Sequence, residues 1–273
     1  MGENKIGTTQ RGIGPCYIDK IARNGIRIGD LLEPERFRDK LTWNVLEKND
    51  MLVRYGKPTF DLEELYNKFM ELADKIKFRI IDGVVEINEA IEEKKLVLFE
   101  GAQALMLDID YGTYPYVTSS SPTAGGVTTG VGVSPRKIER ILGVMKAYVT
   151  RVGEGPFPTE QDNEIGEKLR AIGHEYGATT GRPRRCGWLD LVIGRYAVLI
   201  NGLTDIVLTK IDVLTGFEKI KVAVGYEIDG KVHTSYPGNL RKSKPLKIVY
   251  EELDGWMEDI TQIKNYEELP ENC

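Results

Sequence analysis

From Gly112 to Pro135 the chain consists mostly of Gly, Thr, Ser and Pro, a run too long for a turn and too poor in apolar residues for a core element. Irregular stretches of this length inside a compact chain are usually functional loops or disordered segments. The embedded Tyr114, Tyr116 and Val117 speak against disorder. Around this run, helical patterns alternate with short apolar strands. That alternation favours an α/β sheet with ligand loops at the strand carboxyl ends.

The local patterns are specific enough to place elements. Residues 61–77 read as a helix, with Asp61 and Glu64 at a capping-box-like start and Leu62, Leu65, Phe69, Leu72 and Ile76 along one face. A second helical stretch runs to about Lys95, and Leu96 to Phe99 reads as a short buried strand. Val144 to Val152 reads as a strand, Glu164 to Ile172 as a helix, Trp188 to Ile200 as an apolar helix and Asp205 to Thr209 as a strand. Asp229-Gly230, the pair preferred by a type I′ turn, joins two strands of a hairpin. No stretch has the composition of a linker, so the 273 residues are expected to form one domain.

Composition narrows the function classes. With 37 Lys and Arg against 42 Asp and Glu, the formal charge is −5, which argues against broad nucleic-acid or membrane-surface binding. Apolar runs are far too short to span a bilayer, and Met1 to Lys5 is polar, unlike a signal peptide. Cys16, Cys186 and Cys273 suggest neither a zinc site nor a disulfide framework. A reducing cytoplasmic setting is the expectation.

Four clusters bear chemistry. The first, Gly7-Thr8-Thr9-Gln10-Arg11-Gly12-Ile13-Gly14-Pro15 with Lys20 and Arg23 beyond it, offers close backbone approach, hydroxyls and cations to an anion. It lacks the Gly-Lys-Ser/Thr of a P-loop, and a Gly-Pro turn feeding an exposed basic helix fits its glycine pattern at least as well. The second is Glu100-Gly101-Ala102-Gln103, followed by Leu107-Asp108-Ile109-Asp110. The Gln103 amide both donates and accepts, which suits a nucleobase edge. Asp108 and Asp110 fit backbone-satisfying turn residues better than metal ligands.

The third cluster is Gly177-Ala178-Thr179-Thr180-Gly181-Arg182-Pro183-Arg184-Arg185, where three arginines in four residues follow small hydroxyl residues. The planar guanidinium fork matches carboxylate or phosphate oxygens, and such a loop can close over a substrate. The fourth, Thr209-Lys210-Ile211-Asp212 after an apolar strand, looks like a guanine-recognition motif. An Asp carboxylate accepts from two neighbouring donors of guanine, a pair adenine lacks. Four residues also occur by chance, and this reading stays open at this point. His174 and His233 have no nucleophile or acid at telling spacing and read as structural.

Together these clusters resemble the adenylosuccinate synthetase family over nearly all of the chain. The likeness rests on Gly12-Ile13-Gly14-Pro15-x-Tyr17-x-x-Lys20-x-x-Arg23, Glu100 to Gln103, Leu107 to Asp110, Gly112 to Pro115 and Val117 to Ser120. It continues through Thr150 to Gly153, Gly155 to Glu160, the arginine loop, Thr209 to Leu214, Pro237 and Tyr250 to Trp256. The resemblance implies an α/β fold with a partial P-loop-NTPase-like sheet flanked by helices and long glycine- and threonine-rich ligand loops.

The activity implied is the GTP-dependent joining of IMP and L-aspartate to adenylosuccinate, by phosphorylation of the IMP 6-oxygen and its displacement by the aspartate amine. The resemblance assigns Thr9, Arg23, Gln103, Thr118 and Arg182 to IMP, with Arg23 reaching across a homodimer. Lys20 is assigned near the active site as a catalytic residue. Ala178, Thr179, Thr180, Gly181 and Arg182 are assigned to aspartate, and Arg184, Lys210 and Asp212 to GTP.

Family members also carry a phosphate loop with the catalytic Asp, which ligates Mg²⁺, and a catalytic His nearby. They have a further C-terminal segment that completes the guanine pocket. These features do not appear in the 273 residues, and Ala104 stands where many members have Gly. An internal fragment, inactive alone, with an incomplete sheet and exposed apolar surface, is therefore expected. A non-catalytic purine-nucleotide binding or regulatory module is the competing expectation.

Overall fold

A computed structural model describes residues 11–177, 181–237 and 246–273. The chain divides into two compact units. Of the described residues, one comprises those within Gly101–Thr128 and Ser134–Cys273, and the other comprises residues 11–100 together with Thr129–Val133.

In the unit that includes residues 11–100, α1 (Ile13–Ala22) is followed by α2 (Pro34–Arg54), α3 (Leu62–Ile76) and α4 (Gly83–Glu92). Phe37, Leu41 and Val45 recur at four-residue spacing and bury one stripe of α2 against Leu62, Leu65, Tyr66 and Met70 of α3. The Phe37 and Tyr66 rings stack at 5.8 Å. Asp61 caps α3 by accepting from the Glu64 backbone N–H at 2.8 Å. Only part of the expected α3 face is covered, since Phe69, Leu72 and Ile76 remain exposed. Asp30 is buried and anchors the entry to α2, accepting from Lys40 at 2.7 Å and facing Arg36 at 3.1 Å.

The expected buried strand at 96–99 is corrected by the structure. These residues belong to no strand among the described residues, and Leu96 and Leu98 are 101% and 81% exposed. A strand needs a neighbour to take its backbone hydrogen bonds, and an apolar run cannot supply one.

A short helix, α5 (Gly125–Val131), breaks the glycine-rich run. In the larger unit, β1 (Leu142–Lys146) and β2 (Tyr148–Arg151) replace the single strand expected over 144–152. The two enter different sheets, so the chain turns at Ala147. After α6 (Glu164–Gly173) comes β3 (Arg185–Asp190) and then α7 (Leu191–Asn201). This corrects the helix expected from Trp188. Asp190 ends the strand and caps the helix, accepting from Val192 N at 3.0 Å and Ile193 N at 3.2 Å. An apolar run alone does not separate a buried strand from the helix after it.

Next come β4 (Asp205–Thr209), β5 (Lys219–Ile228), β6 (Lys231–His233) and β7 (Leu246–Asp254). The expected hairpin is β5–β6, with Asp229 at φ 52° and Gly230 at φ 74°, both left-handed as a type I′ turn requires. β1 and β4 form a parallel pair. The other sheet runs β2-β3-β5-β6, with β7 also on β5, and its β3–β5 contact is parallel. Tyr148, Leu169, Cys186, Trp188, Phe217 and Trp256 are central in the core between this sheet and α6. The architecture is α/β.

Candidate functional site

Before α5, the glycine-rich run is held by side chains rather than by regular structure. Asp108 is fully buried and accepts from the backbone N–H groups of Asp110 (2.9 Å), Tyr111 (3.2 Å) and Thr123 (3.3 Å). Its oxygens are thus committed to the backbone, as the turn reading of this Asp pair anticipates. From β2, the Arg151 guanidinium donates to Thr113 Oγ1 and to the Tyr116 carbonyl, both at 3.0 Å. Arg151 therefore ties the start of the loop to the sheet.

Gln103 and Thr118 come together on this scaffold. The Ser120 hydroxyl lies 3.4 Å from Gln103 Oε1 and 3.3 Å from Thr118 Oγ1. Gln103 has φ 65°, a left-handed conformation uncommon for a residue other than Gly. It is exposed, so the amide edge faces solvent.

The arginine loop closes on a hairpin-like stem. Gly177 N donates to the Arg182 carbonyl at 2.8 Å, Tyr176 bridges Pro183, and Arg184 N donates to the Glu175 carbonyl at 2.9 Å. Gly181 has φ 63° and Arg182 is exposed, while Ala178, Thr179 and Thr180 lie outside the described residues. The three arginines differ in their surroundings. Arg185 is paired bidentately with Glu160 and also donates to the carbonyls of Gly153 (3.1 Å) and Gly155 (3.0 Å). It fastens the 153–160 segment to β3. Arg184 pairs with Glu175 at 2.7 Å and remains about one-third exposed, at 32%.

Glu175 is the centre of a buried polar group that sequence reasoning missed. Its carboxylate accepts from Lys146 Nζ at 2.8 Å, Tyr148 Oη at 2.5 Å and Arg184 Nη1 at 2.7 Å. Burial pushes the Glu175 carboxyl up, but the Lys146 and Tyr148 hydrogen bonds outweigh it and hold the group below the ordinary Glu range. Burial lowers the Lys146 ammonium despite the neighbouring carboxylate, and burial with the Glu175 bond pushes the Tyr148 phenol up. The only sequence signal was the proximity of Glu175 to the arginine loop.

At the end of β4, Lys210 sits at φ 62° and its ammonium donates to the Gly173 carbonyl at 3.0 Å, at the C-terminus of α6. Asp212 is exposed in the helical turn that follows. Lys210 is therefore bonded to a carbonyl two residues before Glu175 in the chain. His174 closes α6 in a left-handed conformation, a structural position.

Lys20 and Arg23 belong to the other unit. Both are exposed at the end of α1, with Lys20 5.8 Å from the Tyr17 ring and Arg23 at φ 68° in the helix C-cap. Thr9 lies outside the described residues. Among the described residues, no group of three or more His, Cys, Asp or Glu side chains is placed to hold a metal.

The adenylosuccinate synthetase family profile matches residues 1–273. Adenylosuccinate synthetase of Fusobacterium nucleatum is 62% identical over 270 residues, covering 98% of this chain and 64% of the relative. That of Alkaliphilus metalliredigens is 53% identical over 273 residues, covering 100% of this chain and 64% of the relative. A fully ligated adenylosuccinate synthetase from Plasmodium falciparum superposes with TM-score 0.92 at 45% identity, over 98% of this chain and 63% of that one. The chain thus spans 64% of the length of these curated relatives. On sequence and fold together, this chain belongs to the adenylosuccinate synthetase family.

Proposed function

We propose that this chain carries the IMP and L-aspartate sites and part of the guanine site of an enzyme that joins IMP to aspartate at the expense of GTP. The observation that carries the reading is the meeting of Gln103 and Thr118 on Ser120, within a chain that matches the family from end to end. In the reaction, the IMP 6-oxygen takes the γ-phosphoryl group of GTP, forming an O–P bond and releasing GDP. The aspartate amine then attacks C6, the C–N bond forms, and the C6–O bond breaks with loss of phosphate. Phosphorylation turns a poor leaving group into a good one, so the residues act mainly by positioning and charge stabilisation.

In this assignment Gln103 addresses the hypoxanthine edge, and Thr9 and Thr118 the IMP phosphate. Ala178 to Arg182 surround aspartate, with Thr180 and Arg182 on its carboxylates and Arg182 also facing the ribose. Arg184 lies on the GTP side, and Lys210 with Asp212 takes the guanine. Lys20 takes a catalytic role, and Arg23 reaches the IMP phosphate of a second copy in a homodimer. The described residues do not fit a Mg²⁺ site, because Asp108 is engaged by backbone donors and no acidic cluster is present. No helix among the described residues is long and apolar enough to cross a membrane.

Calorimetric titration of the folded chain with IMP, using GMP as comparator, tests the proposal. Selective uptake of IMP is the expected result. Failure of a folded sample to bind IMP, or equal uptake of GMP, rejects the assignment of Gln103 and Thr118.

A further inference from the structure

The arrangement around Glu175 joins a fully enclosed anion to a partly exposed cation. The Glu175 side chain is 3% exposed, whereas that of Arg184 is 32% exposed and stands at the foot of the arginine loop. On the inner side, Lys146 and Tyr148 fix the carboxylate through β1 and β2. On the outer side, the same residue holds Arg184 twice, by its backbone carbonyl and by its carboxylate. Arg170 completes the stem by donating to the Arg184 carbonyl at 2.8 Å.

Arg184 spends Nη1 on Glu175, and its Nε is buried without a partner. A buried guanidinium N–H left unpaired is unfavourable, so this direction is imposed on the side chain rather than chosen by it. Glu175 also separates two cations. Without its charge, Lys146 and Arg184 would face each other across a poorly hydrated gap, and the more exposed Arg184 would turn outward.

We propose that Glu175 is a positioning residue of the nucleotide site, a buried carboxylate that aims the Arg184 guanidinium at the phosphate groups of a guanine nucleotide. This rests on the assignment of Arg184 to the GTP side. Lys210 strengthens the case, because its bond to the Gly173 carbonyl ties the guanine-directed lysine to the start of the segment that carries Glu175 and the phosphate-directed arginine. Such an element fixes the distance between a base-reading and a phosphate-reading group without touching the ligand itself.

The test uses the whole chain with Glu175→Gln, Glu175→Asp, Arg184→Gln and the Glu175→Gln/Arg184→Gln double variant, titrated with GDP and IMP. Losing one partner of a buried charge pair is expected to weaken GDP binding by about ten-fold or more, with IMP changed by less than about three-fold. Glu175→Asp, which keeps the charge, recovers part of the loss. Glu175→Gln adds little in the Arg184→Gln background, as expected for residues acting as one unit.

Trypsin supplies a readout independent of ligands. Pro183 protects the bond after Arg182, so cleavage after Arg184 reports release of that side chain, and it is expected to accelerate in Glu175→Gln while the melting temperature still lies far above the assay temperature. Unchanged GDP affinity in Glu175→Gln overturns the inference, as does a proportional loss of GDP and IMP binding that tracks melting temperature. If the unaltered chain takes up neither nucleotide, the proposed function fails, and the cleavage rate after Arg184 then decides the positioning role alone: acceleration supports it and an unchanged rate overturns it.

Discussion

Gln103 and Thr118 share a single hydrogen-bonding neighbour, the Ser120 hydroxyl, which lies 3.4 Å from one and 3.3 Å from the other. The relationship fixes two polar side chains from opposite ends of a long irregular segment. Replacing Ser120 with Ala removes both contacts and leaves the backbone unchanged. Each such bond is worth about 1 kcal/mol, so IMP affinity should fall by about two- to ten-fold with little change in melting temperature. Calorimetry on the variant checks both numbers.

Arg151 should matter to the same site from a distance. Truncating Arg151 to Ala deprives Thr113 and the Tyr116 carbonyl of a donor and frees the loop from β2. Faster proteolysis within residues 112–135 is expected, together with weaker IMP binding. Cleavage unchanged from the parent would show that the loop is held without Arg151, by contacts such as those of Asp108 and Asn201.

The proposed function gives guanine selectivity to Asp212. In Asp212→Asn one accepting oxygen becomes a donating amide, which opposes the N–H donors of guanine and suits the carbonyl of xanthine. Losing a charge-assisted hydrogen bond costs about 2 kcal/mol, so GDP binding should weaken by about thirty-fold. Xanthosine diphosphate should gain relative to GDP in a competition titration. Equal losses for both nucleotides would remove Asp212 from base recognition.

Stability of the larger unit depends on a second buried carboxylate. Asp190 accepts from Tyr226 Oη at 2.5 Å and caps α7, and both residues are almost fully buried. Asp190→Ala removes the cap and strands the phenol, at a cost of about 3 kcal/mol. Tyr226→Phe, which leaves the cap intact, should cost about 1 kcal/mol. Chemical denaturation of the two variants measures the difference.

The two buried carboxylates pull stability in opposite directions with pH. Glu175 is held below its ordinary value of 4.5, so its contribution is present above pH 4.5 and is lost as pH falls through its folded-state value. Burial raises Asp190 above its ordinary value of 3.8 against the opposing bonds of Tyr226 and two backbone N–H groups. Its contribution is present below pH 3.8 and is lost as pH rises through the folded-state value. Stability measured from neutral pH downward should therefore fall less steeply in Glu175→Gln than in the parent. An identical acid slope would mean that Glu175 titrates alike in the folded and unfolded chain.

Local chemistry in the sequence determined a good deal. The Asp61 cap and apolar spacing of α3, the Asp229-Gly230 turn, and the strand leading into Lys210 and Asp212 all depend on residues close in sequence, so their patterns can be read directly. The ordered motifs that identify the family are local in the same sense. Asp108, as a turn residue, also follows from its immediate neighbours.

Only the tertiary structure decided the rest. The turn at Ala147 that sends β1 and β2 into different sheets depends on which strands lie beside them, β4 with Thr209 opposite Lys146 and β3 with Trp188 opposite Tyr148. The strand-to-helix switch at Asp190 is set by β2 and β5 on either side of β3, and Leu96 to Phe99 has no strand beside it among the described residues. The arginine loop is the sharpest case. Composition makes Arg182, Arg184 and Arg185 look alike, but Glu160 and Glu175 give two of them different tasks. Hydrophobic period and turn chemistry are short-range and written in order along the chain. The partner of a buried charge is chosen by desolvation and packing between segments far apart, and only the folded chain brings those segments together.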